Sequence, residues 1–170
     1  MGMGKTRRIA LSDTLLDKYS PEEVEVIIAH ELGHHKNRDF MRLFFWQAVI
    51  LFVTFLLVNI ITRAAVAPLG FGGIDDIAAL PLLVLVLAVL SLLLMPLSNT
   101  YIRGREWAAD DFALRLTGQP QAFITMMTKL TDQNLAEARP GRWVERLLHD
   151  HPSHNSRLEH ARCYLSKPDK

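Results

Sequence analysis

The chain is 170 residues long, with 19 Lys and Arg against 18 Asp and Glu and a formal net charge of +1. Hydrophobic residues make up 49% and charged residues 22%, which excludes intrinsic disorder; without a basic excess, a chain built to coat nucleic acid is excluded as well. The single cysteine, Cys163, leaves no internal disulfide framework and no cysteine-rich zinc fold.

In chain order, the basic start ends at residue 8, and the apolar stretch Ile9-Ala10-Leu11 stops at Ser12-Asp13, too short for the core of a secretory signal. Met1-Gly2 with Thr6 fits a myristoylation pattern, and Gly4-Lys5-Thr6 the end of a phosphate-binding loop. Neither is retained, because spanning helices make a lipid anchor redundant and the loop's first glycine would precede residue 1. Residues 9–11 read as a short strand, with Asp13 capping a brief helix that runs to Tyr19.

Ser20-Pro21-Glu22-Glu23 is a strong helix start: Ser as the cap, Pro at the first helical position, and Glu23 completing a capping box. The helix carries His30-Glu31-Leu32-Gly33-His34. Residues four apart stack on one helical face, so His30 and His34 present two imidazoles to a common point, a pairing suited to tetrahedral zinc. Glu31, one position round, is poorly placed as a ligand but able to take a proton from a water at the metal.

Two runs without a charge follow, 20 residues over 43–62 and 26 residues over 77–102. Each is long enough to cross the hydrocarbon core, and the rest of the chain is too small to cover two rods apolar all round, so a transmembrane hairpin is expected. Pro96 predicts a kink or an early end to the second helix. Lys36, Arg38 and Arg42 precede the first run and Arg103 and Arg105 follow the second. The connecting loop sets Arg63 against Asp75 and Asp76, with Pro68, Gly70, Gly72 and Gly73 as turn formers. The positive-inside rule then places residues 1–42 and 103–170 in the cytoplasm.

After the hairpin, Glu106 and Asp110 lie four apart on one helical face. Two crossings return the chain to its starting side, so Glu106 can complete a His-His-Glu set, while Asp110 can accept the outer ring N–H of a ligating histidine. Gly118 and Pro120 end this helix. Phe123, Ile124, Met127 and Leu130 form one apolar stripe at helical spacing; beyond Pro140-Gly141, Trp143, Val144, Leu147 and Leu148 form another. Both helices are expected to buttress the metal site, with Met126 and Met127 as core. Four of the seven histidines fall at 149, 151, 154 and 160, with no spacing that makes them a second metal site. One of His149, His151 and His154 could donate to the oxyanion formed when water attacks a peptide carbonyl; the spacing does not choose among them. Ser156 with Glu159 reads as the cap of a last helix.

Taken together, residues 5–16, His30 to His35, 103–112 and His151-Pro152 with Arg157 resemble the catalytic C-terminal half of the CAAX prenyl endopeptidase family of integral-membrane zinc metallopeptidases, with HtpX-like peptidases as more distant relatives. The resemblance covers essentially the whole chain. It implies a mostly α, membrane-embedded gluzincin-type fold, with a two-helix transmembrane hairpin and a short N-terminal edge strand. It implies one Zn2+ held by His30, His34 and Glu106, with Glu31 as general base and Asp110 as the outer partner of a ligand. It also selects His151 as oxyanion donor, places Arg157 beside it in the substrate cleft, and makes Ile9, Ala10, Leu11 and Ser12 the strand on which an extended substrate pairs.

The expected organisation is therefore three parts: 1–42 with the edge strand and the histidine helix, 43–102 with the hairpin, and 103–170 as a cytoplasmic helical part carrying the third ligand and the His-Pro motif. The expected function is a metalloendopeptidase cutting membrane-associated or prenylated proteins at the cytoplasmic face, in contact with lipid and with no nucleic acid. Family members carry further membrane helices ahead of this region, whereas here the chain starts almost on the edge strand. The alternative is thus a truncated, non-catalytic zinc-binding scaffold or regulatory fragment whose companion helices are missing.

Overall fold

The computed structural model describes residues 17–134 and 141–166. The expected substrate strand at Ile9, Ala10, Leu11 and Ser12 lies outside the described residues. Among those described there is no strand. Six α-helices follow one another: α1 (Pro21–Lys36), α2 (Asp39–Val66), α3 (Leu80–Thr117, entered through a 3-10 turn at Ile77–Ala79), α4 (Pro120–Asn134), α5 (Arg142–Leu148) and α6 (His154–Leu165).

The start of α1 is the expected capping box. Ser20 Oγ accepts from the Glu23 amide at 3.3 Å and Glu23 Oε2 accepts from the Ser20 amide at 2.8 Å. Glu23 is also buried, and Lys129 Nζ on α4 lies 2.6 Å from the same oxygen, so one carboxylate both starts α1 and ties it to α4. The reversal into α2 takes only Asn37 and Arg38. Arg38 adopts the left-handed conformation at φ 55°, a cost of about 1 kcal/mol or more in a residue with a Cβ.

Helices α2 and α3 are the two long apolar rods. At 28 and 38 residues they span about 42 Å and about 57 Å, more than the ~30 Å hydrocarbon core requires. Only 11% and 6% of their most apolar stretches are buried inside the protein, the reverse of a core helix in a soluble domain. They meet along a stripe of α2 at four-residue spacing, Thr54, Val58, Thr62 and Val66, while Phe44, Phe52, Phe55, Leu85, Leu92 and Leu93 face outward. Pro96 does not end α3. The helix continues through it to Thr117; the carbonyl that loses its partner to the proline ring is that of Leu92, four residues earlier, and Thr100 Oγ1 makes a separate bond to the Pro96 carbonyl at 2.7 Å. The excess length of α3 carries Glu106 and Asp110 beyond its apolar part. Its end is set by Gly118 in the left-handed conformation, φ 63°.

Beside the hairpin sits a small core in which Val26 of α1, Leu114 of α3, Phe123, Met126 and Met127 of α4, and Ala161 of α6 bury one another. The two methionines are core, and the α4 stripe packs as its spacing predicts. The α5 stripe does not. This helix is held by its backbone, which accepts hydrogen bonds from Asn99 and Arg103, so Trp143, Val144, Leu147 and Leu148 are left exposed. The cap of α6 also differs from expectation. Ser153, not Ser156, is the cap and accepts from the Ser156 amide, while Glu159 accepts from Asn155 Nδ2.

Phe123 is fully buried where α1, α3, α4 and α6 meet. Phe123→Ala is expected to lower stability by about 3–5 kcal/mol, read as an earlier denaturant midpoint in detergent micelles.

Candidate metal centre

The centre is assembled by the packing of α1 on α3, and a glycine allows the approach. A Cβ on Gly33 would stand 3.1 Å from Ala109 Cα and 3.2 Å from Phe112 Cβ, so any larger residue would push the two helices apart. At this separation His30 and His34 of α1 face Glu106 of α3. The two Nε2 atoms are 3.1 Å apart; His34 Nε2 is 3.4 Å from Glu106 Oε1 and His30 Nε2 is 3.8 Å from Glu106 Oε2. One donor atom from each residue falls within 4.8 Å of the others.

The opposite edge of each ring meets its own carboxylate. His30 Nδ1 lies 2.9 Å from Asp110 Oδ1, and His34 Nδ1 donates to Asp39 Oδ2 at 2.9 Å. Both carboxylates are buried and each is gripped by an arginine. Arg157 is bidentate on Asp110, with Nε at 2.7 Å, and Arg105 Nε donates to Asp39 Oδ1 at 2.6 Å. His34 Nδ1 bonds to Asp39, while His30 Nδ1 stands close to Asp110 without hydrogen-bond geometry. On the other edge of the rings the two Nε2 atoms, 3.1 Å apart, share a proton in the metal-free chain and would give it up to a metal ion. Two imidazole nitrogens and a carboxylate oxygen, spaced close to the ~3.3 Å edge of a tetrahedron with 2.0–2.1 Å bonds, fit a zinc ion.

The remaining expected residues divide. Glu31 is exposed on α1, one position past His30. His151 comes to the centre, its Nδ1 3.3 Å from Glu106 Oε2. Accepting from it, Glu106 raises the His151 imidazole above its ordinary value, against the opposing effect of burial. His154, by contrast, is lowered by burial and by the charges of Arg157 and His151. His160 is elsewhere, with its Nε2 2.7 Å from Asp111 Oδ1 and its ring against Trp107. Arg157 is not turned outward into a cleft: it is buried and committed to Asp110, with Nη1 reaching only to 4.0 Å from Glu106 Oε2. The physical reason is that Asp110, itself fully buried, needs a paired cation.

The loop bearing His151 is held at both ends. Arg103 donates to the carbonyls of Glu145 and Arg146 at 3.1 Å each and to that of His149, while Glu145 Oε1 accepts from the Ser153 amide at 2.8 Å.

With the geometry described, comparison with known proteins places the chain. The family model described as peptidase family M48 matches residues 1–164. The chain belongs to that family. It is 29% identical to a Bacillus subtilis protein described as the uncharacterized metalloprotease YhfN, over 99% of this chain and 40% of that one. It is 35% identical to protease HtpX homolog 1 of Streptomyces coelicolor over 72% of this chain and 40% of that protein. It is 30% identical to an HtpX homolog of Acaryochloris marina, over 88% and 56% respectively. Among solved structures it resembles the crystal structure of Ste24p from S. mikatae, with a TM-score of 0.71 at 22% identity, covering 88% of this chain and 38% of that one. The M48 chain thus spans roughly two fifths to three fifths of the length of these relatives.

Two residues of the centre escape sequence reasoning. Arg105 counts in the sequence only as a charge flanking the spans, and Asp39 is not singled out. The available signal was an acid at the very edge of a long apolar run, where burial of its charge demands a partner. Asp39→Asn is expected to weaken zinc binding by about 10- to 100-fold with little change in helix content, measured by competition with a chromogenic chelator.

The raised imidazole gives a second test. Glu106 accepting from His34, opposed by burial and reinforced by Asp39, pushes His34 up to about 9 from an ordinary 6.5. In the metal-free chain its proton therefore stabilises the fold fully below about 6.5, and that contribution is lost as the pH rises through about 9. Zinc requires the neutral ring, so its apparent affinity should climb by about tenfold per pH unit and level off above about 9. A profile flat between pH 7 and pH 9 contradicts this.

Proposed function

We propose that this chain forms the catalytic half of a membrane-embedded zinc endopeptidase that cuts peptide bonds of membrane-associated proteins close to the cytoplasmic face. The observation that carries the reading is the convergence of His30, His34 and Glu106, with each histidine backed by a buried carboxylate–arginine pair. A zinc ion held there supplies a Lewis acid that polarises a carbonyl and acidifies water.

The chain's own groups supply the rest. Asp39 orients the imidazole of His34 and Asp110 stands beside that of His30, while Arg105 and Arg157 hold those two carboxylates in place. Glu31 takes the proton from the attacking water and later passes it to the leaving amine. His151, whose imidazole Glu106 raises above its ordinary value, donates to the oxygen that becomes negative as the carbonyl is attacked. Both termini lie in the cytoplasm, the side on which Lys36, Arg38, Arg42, Arg103 and Arg105 cluster at the ends of the spans.

The test is Glu31→Gln. The variant should keep stoichiometric zinc and lose peptide hydrolysis by at least about 100-fold against an unfolded membrane protein or a prenylated peptide. Hydrolysis surviving in the variant removes Glu31 from the mechanism. Zinc bound by the unaltered chain, with cleavage of neither substrate class, leaves a metal-stabilised scaffold instead.

A further inference from the structure

The exposed face of α5 has a definite place relative to the hairpin. Asn99 Nδ2 donates to the Leu147 carbonyl at 2.9 Å, and Arg103 reaches the carbonyls of Glu145 and Arg146 at 3.1 Å each. Helix α5 therefore lies against the turns of α3 formed by residues 99–103, where the uncharged stretch of that rod gives way to Arg103 and Arg105. That depth carries an independent marker. Trp46 of α2 and Tyr101 of α3 stack with ring centroids 4.6 Å apart, and tryptophan and tyrosine collect where acyl chains meet headgroups. Only four residues earlier on α3, Leu97 is half exposed like the outward-facing part of the rod.

On α5 itself, Trp143 is 72% exposed and Leu148 54% exposed, with Val144 and Leu147 beside them at helical spacing. Arg146 lies among the polar residues of the same helix. A short helix with tryptophan and leucine on one side and arginine on the other is suited to lying in the plane of an interface. In water the same face would be a standing aggregation liability.

Resting on the reading that the hairpin crosses a bilayer, we propose that α5 is an interfacial anchor. Trp143, Val144, Leu147 and Leu148 lie in the headgroup–acyl boundary of the leaflet marked by Trp46 and Tyr101. The occupant of this face is lipid, continuous with the lipid that covers Phe44, Leu93 and Leu97. Because Arg103 joins α5 to α3 and the loop after α5 bears His151, anchoring α5 sets the depth at which the metal centre stands relative to the membrane.

Spin labels at single cysteines test this in the full chain, reconstituted in phosphatidylcholine–phosphatidylglycerol vesicles. L147C and L148C, each in a C163S background, report on α5, and F52C reports on the outward face of α2. Labels on α5 should collide with dissolved oxygen severalfold more than with a water-soluble nickel chelate, and F52C should show a still larger ratio. Nickel access at both α5 positions, with F52C protected, overturns the anchor and leaves the spanning hairpin intact. Labels on α5 shielded from both reagents also overturn it, since a protein surface then covers the face. Nickel access at F52C as well defeats the underlying reading of the hairpin.

Discussion

The structure depends on one helix–helix contact, the packing of α1 against α3 at Gly33. Each helix carries an incomplete set of ligands: α1 brings two imidazoles and α3 a carboxylate. Neither set can hold a divalent ion alone, and a tetrahedral centre tolerates errors of only about 0.2 Å. The backbone approach permitted by Gly33 brings the two sets within bonding reach of one point. The interaction is steric in origin, but it serves electrostatics. Asp39, Asp110 and Arg157 are buried and Arg105 is half-buried, in two pairs that flank the histidines, and isolated carboxylates at those depths would be prohibitive.

That arrangement also explains why the site is built across a membrane hairpin rather than within one helical layer. Helix α1 ends in a two-residue reversal, and α2 leaves at once into the apolar phase. The chain returns as α3, whose later residues extend past the apolar stretch and stand beside α1. The separation of His34 from Glu106 in sequence is the length of the detour. Helices α4 and α6 close the far side with a small core, in which Phe123 and Met127 fill the volume between α1 and α3.

Much of this could be read from residues. Charge-free length reports a spanning helix directly, because the hydrocarbon thickness sets a number of residues, and the spacing of His30 and His34 reports a shared face. The capping box at Ser20 was legible because both of its bonds are local. What could not be read depends on tertiary partners. Of the two outcomes Pro96 predicts, a kink or an early end, the early end does not occur, because local rules count the lost hydrogen bond but not the packing around it. The α5 stripe looked like core because periodicity defines a face and says nothing of what it faces. The ion pair of Arg157 with Asp110 could not be read locally, because the two are 47 positions apart in sequence. Asp39, which nothing local marks out, pairs across 66 positions with Arg105, which locally is only a charge at the end of a span.

The continuity of α3 through Pro96 has a mechanical consequence. Glu106 is ten residues beyond that proline, about 15 Å along the axis. A bend of ten degrees at the proline would swing the carboxylate by roughly 2–3 Å on that lever, an order of magnitude more than metal coordination tolerates. What holds the direction of that lever is therefore the packing of α3 against the seam of α2 at Thr54, Val58, Thr62 and Val66. The apolar portion of the rod and the ligand at its far end are one continuous element, so displacing either displaces both.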